Sequence, residues 1–307
     1  MLAQIAVNSV PRALGLCDRD KHSPTYGCVD RAYWNYRTTD MANARMQEGG
    51  LLFAMAWRQT GVGANMFAGK KVMDEWARAA WRFWLSRRNG DGSVNEVYPF
   101  ERSFCATSFS AAAFVETLLL AGGAKEWEKE ITQARNTMEW LCENRNPDVA
   151  NQMAASALAL KGYSVITGDR RFLLAAERRR DEVLKSAYED GIFGEYGGLD
   201  VGYQTITMSS MARYMVIGGG DTAVEEALMK GEKLVNERLD EMGRPDSAQN
   251  SRNTQFVYPY ALALLKSDSM ERIMAGLKVS ASLNPAWMDD RYFTPLAIDY
   301  IFAEACL

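Results

Sequence analysis

Residues 106–120 read ATSFSAAAFVETLLL, a stretch with one charged residue that is apolar or small nearly all round. A helix with that composition must be enclosed on several sides, because a surface helix keeps a polar face for water. The preceding segment, Lys70 to Arg88, has the opposite character. Its apolar Val72, Trp76, Ala79, Ala80 and Phe83 follow helical spacing, with Lys71, Asp74, Glu75, Arg78 and Arg82 elsewhere around the wheel.

The same contrast recurs along the chain. Ala154 to Ile166, Thr205 to Ile217 and Thr254 to Leu265 repeat the enclosed type, as do Asn43 to Gln59 and Phe293 to Cys306 near the ends. Trp127, Ile131, Ala134, Met138 and Leu141 mark another surface helix, and Val224, Leu228, Gly231, Val235 and Leu239 a further one. The count is about six buried helices alternating with about five surface ones, a helical hairpin repeat. Loops rich in Gly, Asp, Asn or Pro punctuate it, with markers Gly92, Pro147, Gly191, Gly243 and Pro285 spaced about 40 to 55 residues apart, one hairpin per unit. Repeated hairpins either stack into an open solenoid or close into a ring. The inner stretches lack the wet face of a solenoid, so the pattern predicts an all-α fold, a single (α/α)6-type toroid over 43–307. Residues 1–42 read as an N-terminal arm and loop capping its cavity.

Composition narrows the function classes. The 307 residues are 48% hydrophobic and 24% charged, with a net charge of −4 and scattered arginines, which disfavours a nucleic-acid partner. No apolar run reaches the roughly 20 residues of a membrane span, and no signal-peptide pattern opens the chain, so a cytoplasmic location is expected. Five dispersed cysteines and one histidine provide neither a disulfide framework nor a metal-ligand cluster; no metal and no cofactor are expected.

In a toroid, every loop from a surface helix to a buried helix opens at the same end, where the buried helices also point free N–H groups. Those loops carry the chain's concentrated polar and aromatic residues. The arm offers His22, Arg31, Trp34 and Tyr36; its arginines either pair with Asp18, Asp30 and Asp40 or clamp a carboxylate. DGSVNEVYPFERSF, residues 91–104, offers Glu96, Tyr98, Glu101 and Arg102, with Glu101 and Arg102 alternatively serving only the following helix end. Glu195, Tyr196, Asp200 and Tyr203 repeat that acid-and-tyrosine character. Asn151 and Gln152 supply amides that are also suited to capping, and Asn253 and Arg291 come from the last two loops.

Helical hairpins with aromatic, acidic and amide residues at one end resemble the toroidal carbohydrate-active enzymes, above all the heparinase-like uronate polysaccharide lyases and the glucuronyl C5-epimerase domains. The resemblance is one of fold. It implies a small-molecule or oligosaccharide substrate carrying a uronic acid and an enzyme that withdraws the C5 proton, acting as lyase or epimerase. The bases would come from Tyr98, Tyr203, Tyr36 or His22, and Arg31, Arg102, Asn151 and Gln152 would neutralise the carboxylate. Three alternatives stay open. A glycoside hydrolase would pair Glu96 or Glu101 with Glu195 or Asp200; a terpene-cyclase-like enzyme would use an aromatic cavity, although no DxDD or DDxxD cluster is present; a non-catalytic sugar-binding or scaffold protein would only hold its ligand.

Overall fold

The computed structural model describes residues 1–58, 65–122, 125–187 and 191–307. Gln59, the expected end of the first buried stretch, and Glu189 and Asp190, at the start of the third loop, lie outside the described residues. Among the described residues the fold is all-helical. The helices are α1 (Leu2–Leu16), α2 (Gly49–Arg58), α3 (Lys71–Ser86), α4 (Phe104–Leu120), α5 (Glu128–Glu143) and α6 (Ala150–Thr167). They continue as α7 (Arg170–Ser186), α8 (Val201–Val216), α9 (Thr222–Arg238), α10 (Tyr260–Leu264), α11 (Ser269–Lys278) and α12 (Phe293–Glu304). None of these is long and apolar enough to cross a membrane.

The even-numbered helices pack in chain order, α2 on α4, α4 on α6, α6 on α8, α8 on α10 and α10 on α12, and α12 returns to α2. The odd-numbered helices lie against them, α3 on α2, α5 on α4 and α6, α7 on α6, α9 on α8 and α11 on α10. Their sequence explains the division. On α4, residues Ala106 to Leu118 are buried with the single exception of Phe109, which is partly buried. On α3, Met73, Ala77, Ala79, Ala80, Trp81, Phe83, Trp84 and Leu85 are buried, while Lys71, Val72 and Arg82 are exposed.

The α3–α4 seam shows how the two kinds of helix lock. Trp81 and Trp84 pack on Phe114 with ring centroids 5.4 Å and 5.5 Å away. Each indole N–H is satisfied, Trp81 donating to Thr117 Oγ1 at 3.0 Å and Trp84 to Ser110 Oγ at 2.9 Å. These bonds remove the cost of burying an indole N–H without an acceptor, roughly 1–3 kcal/mol each. Polar Ser and Thr in an apolar stretch therefore serve the seam.

The repeating glycines have a packing reason. Gly92 sits at φ +94°, and a Cβ there would lie 2.6 Å from the backbone of Asn136 on α5. Gly191 and Gly243 make the same approach to the backbones of α9 and α11, at 2.7 and 2.5 Å. A side chain at any of them would force the loop away from the next odd helix.

Three local expectations change. Thr254 to Leu265 is helical only as α10, because Pro259 lacks an N–H and disfavours helical geometry at Tyr258; Tyr258 N instead donates to Thr205 Oγ1 at 3.1 Å. The stretch from Asn43 opens with a 3₁₀ turn, Ala44–Glu48, before α2 begins. The first part of the expected arm is a helix, α1, lying on α12 and α2. The amino terminus ties it down through Glu304, at 2.8 Å.

Candidate functional site

The starts of α4, α6, α8 and α12, with the turn before α2 and the loop before α10, surround a cavity of about 230 Å³. Three sets of side chains give it chemistry.

Glu195, Asn151, Tyr203 and Arg252 form the first set. Asn151 opens α6, where its backbone N–H (3.3 Å) and its side-chain amide both donate to Glu195 Oε1. Burial pushes the Glu195 carboxyl up to about 7, outweighing the opposing pull of those bonds and of Arg252. Near neutral pH the acid and its carboxylate are therefore comparably populated, the condition for moving a proton in either direction. Tyr203 is hydrogen-bonded to Tyr292, and burial followed by the charge and bond of that partner holds its phenol well above the usual range. It stays a proton donor. The Arg252 guanidinium lies 5.6 Å from the Tyr203 ring centroid and 6.0 Å from that of Tyr196. Among the described residues it has no ion-pair partner.

The second set makes the floor. Arg213 on α8 donates to Glu116 on α4 at 2.9 Å. Beside them Asp299 on α12 accepts from Ser209 Oγ and, at 2.9 Å, from Tyr260 N. Burial raises Glu116 and Asp299 to about 6 each, with Arg213 pulling both down. In the third set, Arg45 pairs with Glu48, lies 4.1 Å over the Phe109 ring and reaches Cys105 Sγ at 3.5 Å. Burial lifts the Cys105 thiol to about 11, which leaves it protonated and poorly nucleophilic at neutral pH.

Of the residues singled out from the sequence, Glu195, Tyr203, Tyr196, Asn151, Gln152 and Arg291 line this cavity. Glu96, Tyr98, Arg31 and Tyr36 line a neighbouring groove, of about 850 Å³, that shares Arg291 with it. Glu96 is ion-paired to Arg291.

Others are engaged elsewhere. Glu101 Oε2 accepts from the backbone N–H groups of Glu96 and Val97, both at 2.8 Å, and caps its own loop, while Ser103 caps α4. Arg102 is exposed and faces Asp91 at 3.3 Å. Asp200 caps α8 through Tyr203 N and also accepts from Arg252 N at 3.0 Å, so it positions two cavity residues without lining the cavity. Trp34 donates to Leu16 O at 2.7 Å, His22 is exposed on the arm, and exposed Asn253 adopts a left-handed turn at φ 54°.

Sequence reasoning missed Glu48, Glu116, Arg213, Asp299 and Tyr258. A signal for three of them exists: Glu116, Arg213 and Asp299 are isolated charges inside apolar helices, and a buried charge requires a partner. Among the described residues, no group of three or more His, Cys, Asp or Glu side chains could hold a metal ion. In comparison with known proteins, the chain matches no family model and no curated protein, so the chemistry of this cavity rests on its geometry.

Proposed function

We propose that the protein is a carbohydrate-active enzyme, an (α/α)6-type toroid that acts on a uronic-acid-containing saccharide by withdrawing the C5 proton. The return of α12 to α2 supports the closed ring. One observation carries the chemistry: a carboxyl that titrates near 7, a phenol held protonated and an arginine that forms no ion pair among the described residues meet at one cavity.

Arg252 takes the substrate carboxylate, an arrangement suited to two parallel hydrogen bonds. Glu195, as carboxylate, accepts the C5 proton; the electron pair of the broken C–H bond spreads into the substrate carboxylate, where Arg252 stabilises the added charge. In elimination that pair forms the C4=C5 double bond as the C4–O4 bond breaks, and Tyr203 gives its proton to O4. In epimerisation Tyr203 returns a proton to C5 from the opposite face. Asn151 fixes the orientation of Glu195, and Asp200 holds the backbone of both Tyr203 and Arg252.

Hydrolysis is the competing reading, because Glu48 and Glu116 line the same cavity as Glu195. Each has one oxygen bound to an arginine, whose charge makes the carboxylate a weaker base. A panel of glucuronate-, galacturonate- and mannuronate-containing oligosaccharides in deuterated water separates the reactions. Elimination gives the ultraviolet absorbance of an unsaturated uronate, epimerisation gives deuterium at C5, and hydrolysis gives new reducing ends with neither. Absence of all three products across the panel rejects the proposal.

A further inference from the structure

Three features of the cavity and its surroundings bear on how a saccharide is held. First, the cavity is small: about 230 Å³, below the roughly 300–1,000 Å³ of sites that take drug-sized ligands, and so sized for one sugar unit. Second, it has a floor. Glu116 and Arg213 line it and also line a separate cavity of about 250 Å³ on the far side, whose other walls are Leu119, Leu120, Val216, Ile217, Tyr260 and Phe302. The buried ion pair thus stands between the cavity and an open, mostly apolar depression on the far side. A saccharide continuing through it would break that pair and leave two buried charges apart.

Third, among the described residues a groove lined by polar and aromatic groups lies beside the cavity and meets it at Arg291, which is ion-paired to Glu96. Arg291 is common to the cavity and the larger groove, and across that groove lie Tyr36 and Tyr98, 63% and 67% exposed. Both rings stand in water on walls formed by different segments, the arm and the 91–104 loop, with Arg31 stacked over Tyr36 at 5.3 Å. Exposed rings on the walls of a groove that also holds Asp289 and Asp290 suit the flat, mixed surface of sugar units.

We infer that cavity and groove divide one chain between them: the cavity takes a single terminal uronate, the groove takes the units behind it, and the enzyme works from a chain end. This rests on the uronate reading of the cavity. It adds a substrate class, oligomers entering end first, and gives Tyr36 and Tyr98 a role in binding chain length without contact to the reacting atoms.

The test measures binding by calorimetry for the parent protein and for Tyr36→Ala and Tyr98→Ala, using uronate monosaccharides and the matching hexasaccharides of the same panel. Both substituted side chains are exposed, so folding is expected to survive, and circular dichroism checks it. The inference requires hexasaccharides to bind more tightly than monosaccharides, and each substitution to weaken hexasaccharide binding about fivefold to tenfold with monosaccharide binding unchanged. In a parallel time course on polymer, elimination must release small products from the start with slow loss of viscosity, and epimerisation must place deuterium in terminal units first. Early random scission, or substitutions that act equally on one unit and six, overturns end-first binding while leaving the uronate reading intact. Absence of both binding and turnover for every saccharide overturns the reading beneath it as well.

Discussion

Two loops of similar make-up lead into buried helices: residues 91–104 into α4, and residues 191–204 into the first turn of α8. Each carries glutamate and tyrosine near a helix-capping residue, and each turns at a glycine pressed against the next odd helix. Their acids nevertheless end in different surroundings. Glu101 is consumed by backbone N–H groups of its own loop, and Glu96 by Arg291. Glu195, among the described residues, accepts from the backbone and side-chain N–H groups of Asn151 and lies where burial raises its carboxyl to about 7. What separates the acids of the two loops is therefore the partner each meets: N–H groups of its own loop for Glu101, a guanidinium for Glu96, and Asn151 for Glu195.

The sharpest way to break this contrast is to remove each acid in turn. Glu195→Gln should lower turnover by about 10²- to 10⁴-fold, the range of a lost general base, with the helical content unchanged by circular dichroism. A Glu195→Gln protein that retains full activity would end the assignment.

The inner helices extend the comparison, since their charges are paired between helices, Arg213 on α8 with Glu116 on α4. Arg213→Met leaves Glu116 buried without its cation, and breaking a buried pair this way costs about 3–5 kcal/mol. Urea unfolding should show that loss, and Glu116→Gln added to Arg213→Met should recover part of it. If Arg213→Met unfolds like the parent, the floor is not held by this pair.

A smaller effect comes from pH. In the proposed reaction Glu195 is the base and must be ionised, so kcat/KM should rise about tenfold per unit below its pKa and level off above about 7. Stability moves the other way. The folded carboxyl titrates at about 7 against an ordinary value of 4.5, so the folded protein holds an extra proton between those values. The contribution of Glu195 to stability is whole below about pH 4.5 and is lost as pH rises through about 7. Differential scanning calorimetry at pH 5 and 8 should therefore show Glu195→Gln gaining Tm relative to the parent at the higher pH. A difference that is constant with pH would place Glu195 in a wetter setting.

The smallest change belongs to the other loop. Glu101→Ala removes the acceptor for Glu96 N and Val97 N, so stability should fall about 0.5–1.5 kcal/mol in urea while turnover stays within a few-fold of the parent. Loss of activity comparable with that of Glu195→Gln would erase the distinction between the two loops.

Much of the helical plan was legible because it follows from local chemistry. The apolar surround of Ala106 to Leu118 demands enclosure and the one-sided pattern of Lys71–Ser86 demands a surface. Where Pro259 interrupts, local pattern overstated the helix, since hydrophobicity continues across a residue that cannot donate the helical bond. Within the candidate site, the mouth residues Glu195, Asn151 and Tyr203 were visible as polar types clustered at helix starts. The floor was not: Glu116, Arg213 and Asp299 each stand alone in an apolar stretch, and only packing brings them together across separations of 97 and 90 residues for the Arg213–Glu116 and Ser209–Asp299 contacts.

The sequence by itself determined an all-helical chain of alternating enclosed and surface helices, with polar loops at the entrances to the enclosed ones. Periodicity is a property of near neighbours, and near neighbours suffice to state it. Only the tertiary structure decided which acid is spoken for and which is poised, because burial, an opposing arginine and an amide donor arrive from distant segments. A carboxyl's readiness to hold or release a proton is set by those neighbours in space.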